Sequence, residues 1–145
     1  MIAAAGLPFT LQWSVPSANR ERGAQLFHGV APLRGLLPGQ DEPLPLEAIR
    51  CQNCHDLESA TARAPSSPAS AAETVEAAAP RLGRNSLRRA ASRRGGPASL
   101  YTEGTFCRLL RDGIDPTQIV IRRLMPRYEL TDEECAALWD YLAVR

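Results

Sequence analysis

The sequence contains no lysine, so all 17 of its cationic side chains are arginines, and 16 aspartates and glutamates balance them. The formal net charge of +1 leaves no field that would steer the chain to nucleic acid or to an acidic membrane surface. Long apolar runs are also missing, since none reaches the roughly 20 residues of a membrane-spanning helix. The sequence therefore predicts a soluble chain without a membrane span and without nucleic-acid partners.

Large apolar side chains are scarce as well. The chain has three phenylalanines, three tyrosines and two tryptophans against twelve prolines, and its middle is rich in alanine, serine, proline and arginine. The length of 145 residues allows one domain, and the part that can pack into a core is smaller than the whole. Such small domains are commonly stabilised by disulfides, metals or cofactors, so we expect one of these here.

The N-terminus is distinct from the rest of the chain. Met1 to Trp13 is apolar and free of charge, and the small residues of Val15-Pro16-Ser17 follow it. This pattern is typical of the middle of an export signal, although no basic segment precedes it. We interpret residues 1–18 as an export signal or a flexible N-terminus, and residues 19–145 as the domain.

Two stretches of the domain are predicted to be loop-like inserts. Residues 28–50 contain four prolines and three glycines, which interrupt any regular element. Residues 59–99 begin and end in alanine, serine, proline and arginine, with little that could line a core. The second insert is interpreted as a solvated surface segment or a docking patch.

Helices are predicted on either side of these inserts. Apolar residues at helical spacing predict a helix over Thr102 to Asp112 that ends at Gly113. Thr131 and Glu134 form the signature of a capping box, which predicts a closing helix with one apolar face. A shorter helix, capped by Asn19, is predicted before the first insert.

The most specific motif is CQNCH, at residues 51–55. A structural zinc site needs four ligands, commonly in two paired motifs, but Cys107 and Cys135 stand alone in the sequence. A thioredoxin-like dithiol follows a buried strand, and no strand pattern precedes this motif. Both interpretations are weaker than the third, a haem attachment site of the form Cys-x-x-Cys-His.

In a haem attachment site the thiols of Cys51 and Cys54 add to the porphyrin vinyl groups, and His55 lies under the iron. Haem iron held by one histidine accepts a thioether as its second axial ligand. Met125 is the methionine that lies away from the N-terminus, and Pro126 places it on an extended loop. We therefore predict that Met125 is an axial ligand; the alternative is an apolar plug over the haem.

Together these motifs resemble the class I c-type cytochromes, which are single-haem electron carriers. Residues 51–55 match their attachment motif, residues 125–131 (MPRYELT) are similar to their Met-Pro loop, and residues 138–142 (LWDYL) are similar to their last helix. Gly23 and Phe27 resemble the contact pair on their first helix. The resemblance implies an all-α, cytochrome c-like fold in which three to five short helices wrap around one covalent haem c, with long irregular inserts.

The resemblance also implies roles for further residues. The Pro80 carbonyl would accept a hydrogen bond from a ring nitrogen of His55, and Leu82 would lie against the haem edge. With His55 and Met125 both bound to the iron, no position remains for a substrate, which implies an electron carrier and not an enzyme. The implied partners are redox proteins, and the implied location is the bacterial periplasm or another exported compartment.

Two other functions are compatible with the motifs. The chain could be the cytochrome subunit of an exported dehydrogenase complex, with the inserts as docking surfaces. It could also be a haem sensor or peroxidase-like protein with a displaceable sixth ligand, for which His28 and Cys107 are substitute ligands. In an oxidising compartment leftover thiols rarely stay free, so Cys107 and Cys135 are predicted to form a disulfide.

Overall fold

The structure is a computed structural model that describes residues 15–58, 79–93 and 95–144. The apolar start of the predicted export signal and the beginning of the second predicted insert, residues 59–78, lie outside the described residues. Helices dominate the described part of the chain, and short strand pairs accompany them. The predicted helices are confirmed, but the unpredicted short strands make the described fold mixed α/β and not clearly all-α.

Five α-helices occur in the described ranges, and a single 3₁₀ turn covers Cys51–Asn53. None of these helices has the length and apolarity needed to cross a membrane. The longest are the first and the last, which pack against each other. The helices are α1 (Val15–His28), α2 (Leu46–Ile49), α3 (Arg84–Arg88), α4 (Glu103–Asp112) and α5 (Asp132–Ala143).

The strands form two antiparallel pairs of two residues each: β1 (Gly35–Leu36) with β4 (Arg127–Tyr128), and β2 (Ala91–Ser92) with β3 (Ala98–Ser99). In the first pair, Gly35 lies opposite Tyr128. This pairing joins the insert after α1 to the segment that follows Met125. Strands of two residues are too short to leave an alternating pattern in the sequence, which is why they were not predicted.

The crossing of α1 and α5 forms the centre of the core. A Cβ atom built on Gly23 would overlap the Ala137 carbonyl and would lie 2.7 Å from Tyr141 Cβ, so a side chain at this position would push the two helices apart. One turn later, the rings of Phe27 and Tyr141 lie 5.7 Å apart. The contact pair that the resemblance implies on the first helix is therefore present. The buried core around it includes Leu26, Ile49, Phe106, Leu110, Leu138 and Leu142.

Local signals define both ends of α4 and the start of α5. The Thr102 hydroxyl accepts a hydrogen bond from the Thr105 amide, and Gly113 ends α4 in the left-handed region with φ 71°. The Thr131 hydroxyl accepts from the Glu134 amide, while the Glu134 carboxylate accepts from the Thr131 amide. The predicted helix end and the predicted capping box are both confirmed.

A disulfide joins α4 to α5. It links Cys107 and Cys135, whose Cα atoms are 5.5 Å apart, and both residues are buried. The prediction of this pairing is confirmed. The bridge closes a loop that contains the whole Met125 segment.

The first helix begins earlier than predicted. It starts at Val15, one turn before Asn19, and so crosses the predicted boundary at residue 18. Pro16 explains the difference, because the first turn of a helix does not use its amide hydrogens and accepts a proline readily. The predicted cap at Asn19 is therefore wrong.

Both predicted inserts contain regular structure. Residues 28–50 carry β1 and α2, with Pro45 directly before α2, where its missing amide hydrogen costs nothing. The described part of 59–99 carries α3, β2 and β3, and Leu87 on α3 is only 2% exposed. Arg93 donates to the Ser86 carbonyl at 2.6 Å and lies over the Tyr101 ring. The loop-like descriptions are thus corrected, because tertiary partners satisfy backbone that has no sequence pattern of its own.

Candidate functional site

The attachment motif folds as a tight turn. The amides of Cys54 and His55 both donate to the Cys51 carbonyl, at 3.2 and 2.9 Å. Cys51 and Cys54 are free thiols; Cys51 is partly buried and Cys54 is exposed. The turn therefore presents two unpaired thiols and an imidazole within five residues.

The environment keeps the first thiol neutral. Burial raises the pKa of Cys51 to about 11, and the neighbouring Tyr128 hydroxyl offsets only part of this effect. The pKa of Tyr128 is raised in turn, first by burial and then by the proximity of Cys51. Both groups therefore carry their protons at neutral pH.

The ring of His55 is oriented by the segment around Pro80. Its Nδ1–H donates to the Pro80 carbonyl oxygen at 2.8 Å. Because a carbonyl can only accept, this bond places a proton on Nδ1, so the neutral form of the ring has its lone pair on Nε2. The contact is the one that the resemblance implies for Pro80, and it leaves the imidazole in the tautomer that a metal ligand needs.

A backbone bridge extends this contact beyond the histidine. Leu57 and Leu82 form a parallel bridge, with the Glu58 amide donating to the Leu82 carbonyl at 2.7 Å and the Leu82 amide donating to the Asp56 carbonyl at 2.8 Å. Leu57 and Leu82 are partly buried against the core. The Pro80 carbonyl is therefore held in register with His55.

Glu58 anchors the same segment from the other side. Its carboxylate accepts from the amides of Asn85 and Ser86 at 2.9 and 2.8 Å, which caps the first turn of α3. Gly83 lies directly under this side chain, since a Cβ there would approach Glu58 Cβ to 2.7 Å. Sequence reasoning missed Glu58, because capping signals are recognised only when they lie next to the helix.

Met125 lies on a loop outside any helix, as predicted. It is half-buried and packs against the edge of the core. Its amide donates to the Arg122 carbonyl at 3.3 Å, and β4 begins two residues later. Arg127, the first residue of β4, is half-buried, and this burial lowers the pKa of its guanidinium.

Tyr128 brings the Met125 segment to the attachment motif. Its hydroxyl donates to the Ile49 carbonyl at 2.8 Å, two residues before Cys51. Met125 thus stands three residues from a side chain that is bonded beside the CQNCH motif. The aromatic residue in MPRYEL was the available signal for this contact, but nothing in the sequence specified its partner 79 residues away.

The two substitute ligands, His28 and Cys107, are already bonded to other side chains. His28 Nδ1 lies 2.6 Å from Gln52 Oε1, and its Nε2 lies 3.0 Å from the Tyr141 hydroxyl. Cys107 is in the disulfide and has no thiol to offer. The hypothesis that Cys107 replaces the thioether is therefore wrong for this oxidised form.

The donor set fits a c-type haem. Two unpaired thiols, an imidazole with a free Nε2 and a thioether lie on segments that contact one another. Within the described ranges, no three side chains among His, Cys, Asp and Glu come together as a site for a bare metal ion. A porphyrin-held iron would take two of these groups as protein ligands and two as covalent links.

Comparison of the chain with models of known protein families gave no match, and neither did comparison with curated proteins or with solved structures. The assignment of a family therefore depends on the motifs and on the geometry described above.

Proposed function

We propose that the protein is an electron carrier with one covalently bound haem c. Cys51 and Cys54 would hold the haem as thioethers, and His55 and Met125 would bind its iron. The observation that supports this best is the convergence of three distant segments: the His55 ring contacts Pro80, and Tyr128, next to the Met125 loop, donates to the Ile49 carbonyl two residues before Cys51. Convergence of this kind is not required by a chance Cys-x-x-Cys-His motif.

The chain's own residues would perform the binding and the tuning. Cys51 and Cys54 prevent loss of the cofactor, and the Pro80 carbonyl holds the His55 ring and increases its basicity through Nδ1–H. When bound, the haem supplies one-electron chemistry, with its iron alternating between the ferric and ferrous states. Leu57 and Leu82 add apolar surface beside the motif.

Ligation of the iron by Met125 is what would distinguish an electron carrier from an enzyme. A thioether is uncharged and soft, so it binds ferrous iron without losing a proton and raises the reduction potential. If His55 and Met125 both held the iron, no coordination position would remain for a substrate. The same ligand pair argues against the sensor or peroxidase-like alternative.

The disulfide supports an exported location. Bridges such as Cys107–Cys135 persist in oxidising compartments, and attachment of haem to Cys51 and Cys54 would also take place there. We therefore place the proposed carrier in the periplasm or another exported compartment, with redox proteins as electron donor and acceptor.

The attachment is tested by producing the full chain together with haem-attachment machinery and recording a pyridine haemochrome spectrum after acid-acetone extraction. We expect a c-type spectrum and haem that stays with the polypeptide. The matched control replaces the other cysteine pair, Cys107→Ser with Cys135→Ser, and should retain the haem. Extractable haem, or none, in the unmodified chain contradicts the proposal.

The ligation is tested by carbon monoxide binding to the reduced protein. We expect slow or no binding in the unmodified chain, rapid binding and a lower reduction potential in Met125→Ala, and restored six-coordination at low potential in Met125→His. Rapid binding by the unmodified chain, with no change of spectrum or potential in Met125→Ala, would replace the carrier by a ligand-binding haem protein.

A further inference from the structure

Arg127 makes polar contacts that none of the roles above requires. Its Nη1 donates to the Met125 carbonyl at 2.6 Å, and its Nη2 donates to the Ile121 carbonyl at 3.3 Å. One guanidinium therefore ties together the two ends of the short loop from Ile121 to Met125. A charged donor makes these bonds stronger than neutral ones.

Gly113 provides the space for this guanidinium. A Cβ atom at this position would overlap Arg127 Cζ, Nε and Nη2, so any larger residue would displace the group. The Gly113 carbonyl also accepts from the Ile121 amide at 2.8 Å. The end of α4, the loop from Ile121 to Met125 and the Arg127 side chain thus contact one another; we call these three parts the contact set.

This contact set is fixed to the rigid part of the fold. α4 is joined to α5 by the Cys107–Cys135 disulfide, and Arg111 on α4 donates through Nε to the Leu130 carbonyl at 3.0 Å. The segment that contains Met125 is therefore held to α4 before and after the methionine.

We propose that Arg127 is a positioning residue that holds the Met125 backbone so that its thioether stays on the haem iron, and that Gly113 is the seat for its guanidinium. The inference rests on the proposed function. Holding the backbone removes much of the entropy that the loop would lose on ligation, which makes the bound state more populated. A cation beside the ligand also disfavours the ferric charge and so raises the reduction potential.

Arg123 in the same loop is a matched control. It is exposed, and no hydrogen bond or ion pair joins its side chain to another described residue. Removing its charge changes the electrostatics of the loop but leaves the two Arg127 hydrogen bonds intact. Arg127→Lys tests the geometry and not the charge, because lysine keeps the positive charge but cannot donate from two fixed positions of one planar group.

The experiment uses the haem-loaded full chain. The thioether-to-iron charge-transfer band and the reduction potential of the unmodified protein are recorded first; absence of that band refutes the proposed function itself. Arg127→Gln should then speed carbon monoxide binding to the reduced protein by about tenfold or more, because it removes two charge-assisted hydrogen bonds. Arg127→Lys should show most of this increase, and Arg123→Gln should remain close to the unmodified rate.

Gly113→Ala gives an independent variant with Arg127 intact. It should reproduce the faster binding, and the double variant Gly113→Ala with Arg127→Gln should be no faster than Arg127→Gln alone. If the unmodified protein shows the thioether band but Arg127→Gln matches Arg123→Gln in binding rate and potential, the inference is wrong while the proposed function stands. Should Arg127→Gln not fold, Arg127→Lys and Gly113→Ala decide by the same comparison.

Discussion

The helical frame, which comprises α1, α4 and α5, and the site segments, residues 50–58, 80–88 and 113–128, are stabilised in different ways. The frame has a tight helix crossing at Gly23, a disulfide and side-chain caps on α4 and α5. The site segments contribute Leu87, Ile121 and Tyr128 to the core, but backbone bridges and single polar side chains arrange their other residues. The site therefore needs partners from far along the chain, whereas the frame is cross-linked within itself.

This difference has a consequence for the proposed haem. A protein with few large apolar residues would gain a great deal from a porphyrin, and that gain would fall on the segments that the frame does not already stabilise. The polar contacts His55 to Pro80 and Tyr128 to Ile49 arrange these segments. We expect haem binding to stabilise the site segments more than the frame.

The largest expected effect comes from removing both attachment thiols. Cys51→Ala with Cys54→Ala should abolish covalent haem and leave the site segments without fixed tertiary structure, because their apolar partner is lost. The frame should keep its helices at reduced stability, since its disulfide and the Gly23 crossing are unaffected. Hydrogen exchange read by mass spectrometry separates the two regions.

The control for this variant is the haem-loaded unmodified chain under the same conditions. If the site segments were as protected from hydrogen exchange in the double alanine variant as in that control, the haem would not be part of the fold. The comparison between frame and site would then lose its basis.

Removing the disulfide should weaken the frame next. Cys107→Ser with Cys135→Ser opens a loop with a sequence separation of 28. The chain-entropy model puts the loss in free energy of unfolding at roughly 3 to 4 kcal/mol. Urea unfolding of the variant, beside the unmodified chain with and without dithiothreitol, measures it. This account would be contradicted if dithiothreitol lowered the stability of the serine variant as much as that of the unmodified chain.

The helix crossing is tested by adding one methyl group. Gly23→Ala should lower the free energy of unfolding by roughly 3 kcal/mol, because the new Cβ meets the Ala137 backbone, which cannot move aside. Gly104→Ala on α4 is the matched control: apart from its chain neighbours and its own helix backbone, no described atom lies within 4 Å of its Cβ position, so it should gain about 0.5 to 1 kcal/mol. Equal effects of the two substitutions would refute the tight crossing.

The smallest effects compare one cap from each region. Thr131→Ala removes the cap of α5 and should lower global stability by about 1 kcal/mol. Glu58→Ala removes the cap of α3 and should act locally, by increasing hydrogen exchange at Leu82 and Ser86 while the unfolding midpoint changes less. A global loss from Glu58→Ala as large as that from Thr131→Ala would place this site segment within the cooperative frame.

Some features could be predicted from the sequence because their signals act over a few residues. The capping box of Thr131, the helix stop at Gly113 and the non-helical loop at Met125 all depend on neighbours within one helical turn. The start of α1 shows the limit of such signals. Asn19 and Pro16 are both compatible with a helix start, and the helix begins beside Pro16. The strand pairs β1–β4 and β2–β3 had no local signal at all.

The sequence by itself determined the cluster of two thiols and an imidazole in CQNCH, the loop that carries Met125 and the two remaining cysteines. These are matters of spacing and local backbone preference, which act before the chain has folded. Only the tertiary structure decided that Tyr128 reaches Ile49 beside the CQNCH motif, that Glu58 caps α3 and that Arg127 fits over Gly113. Each of these contacts joins residues 14 or more positions apart, and their formation depends on where the packed core places the backbone, which no short pattern encodes.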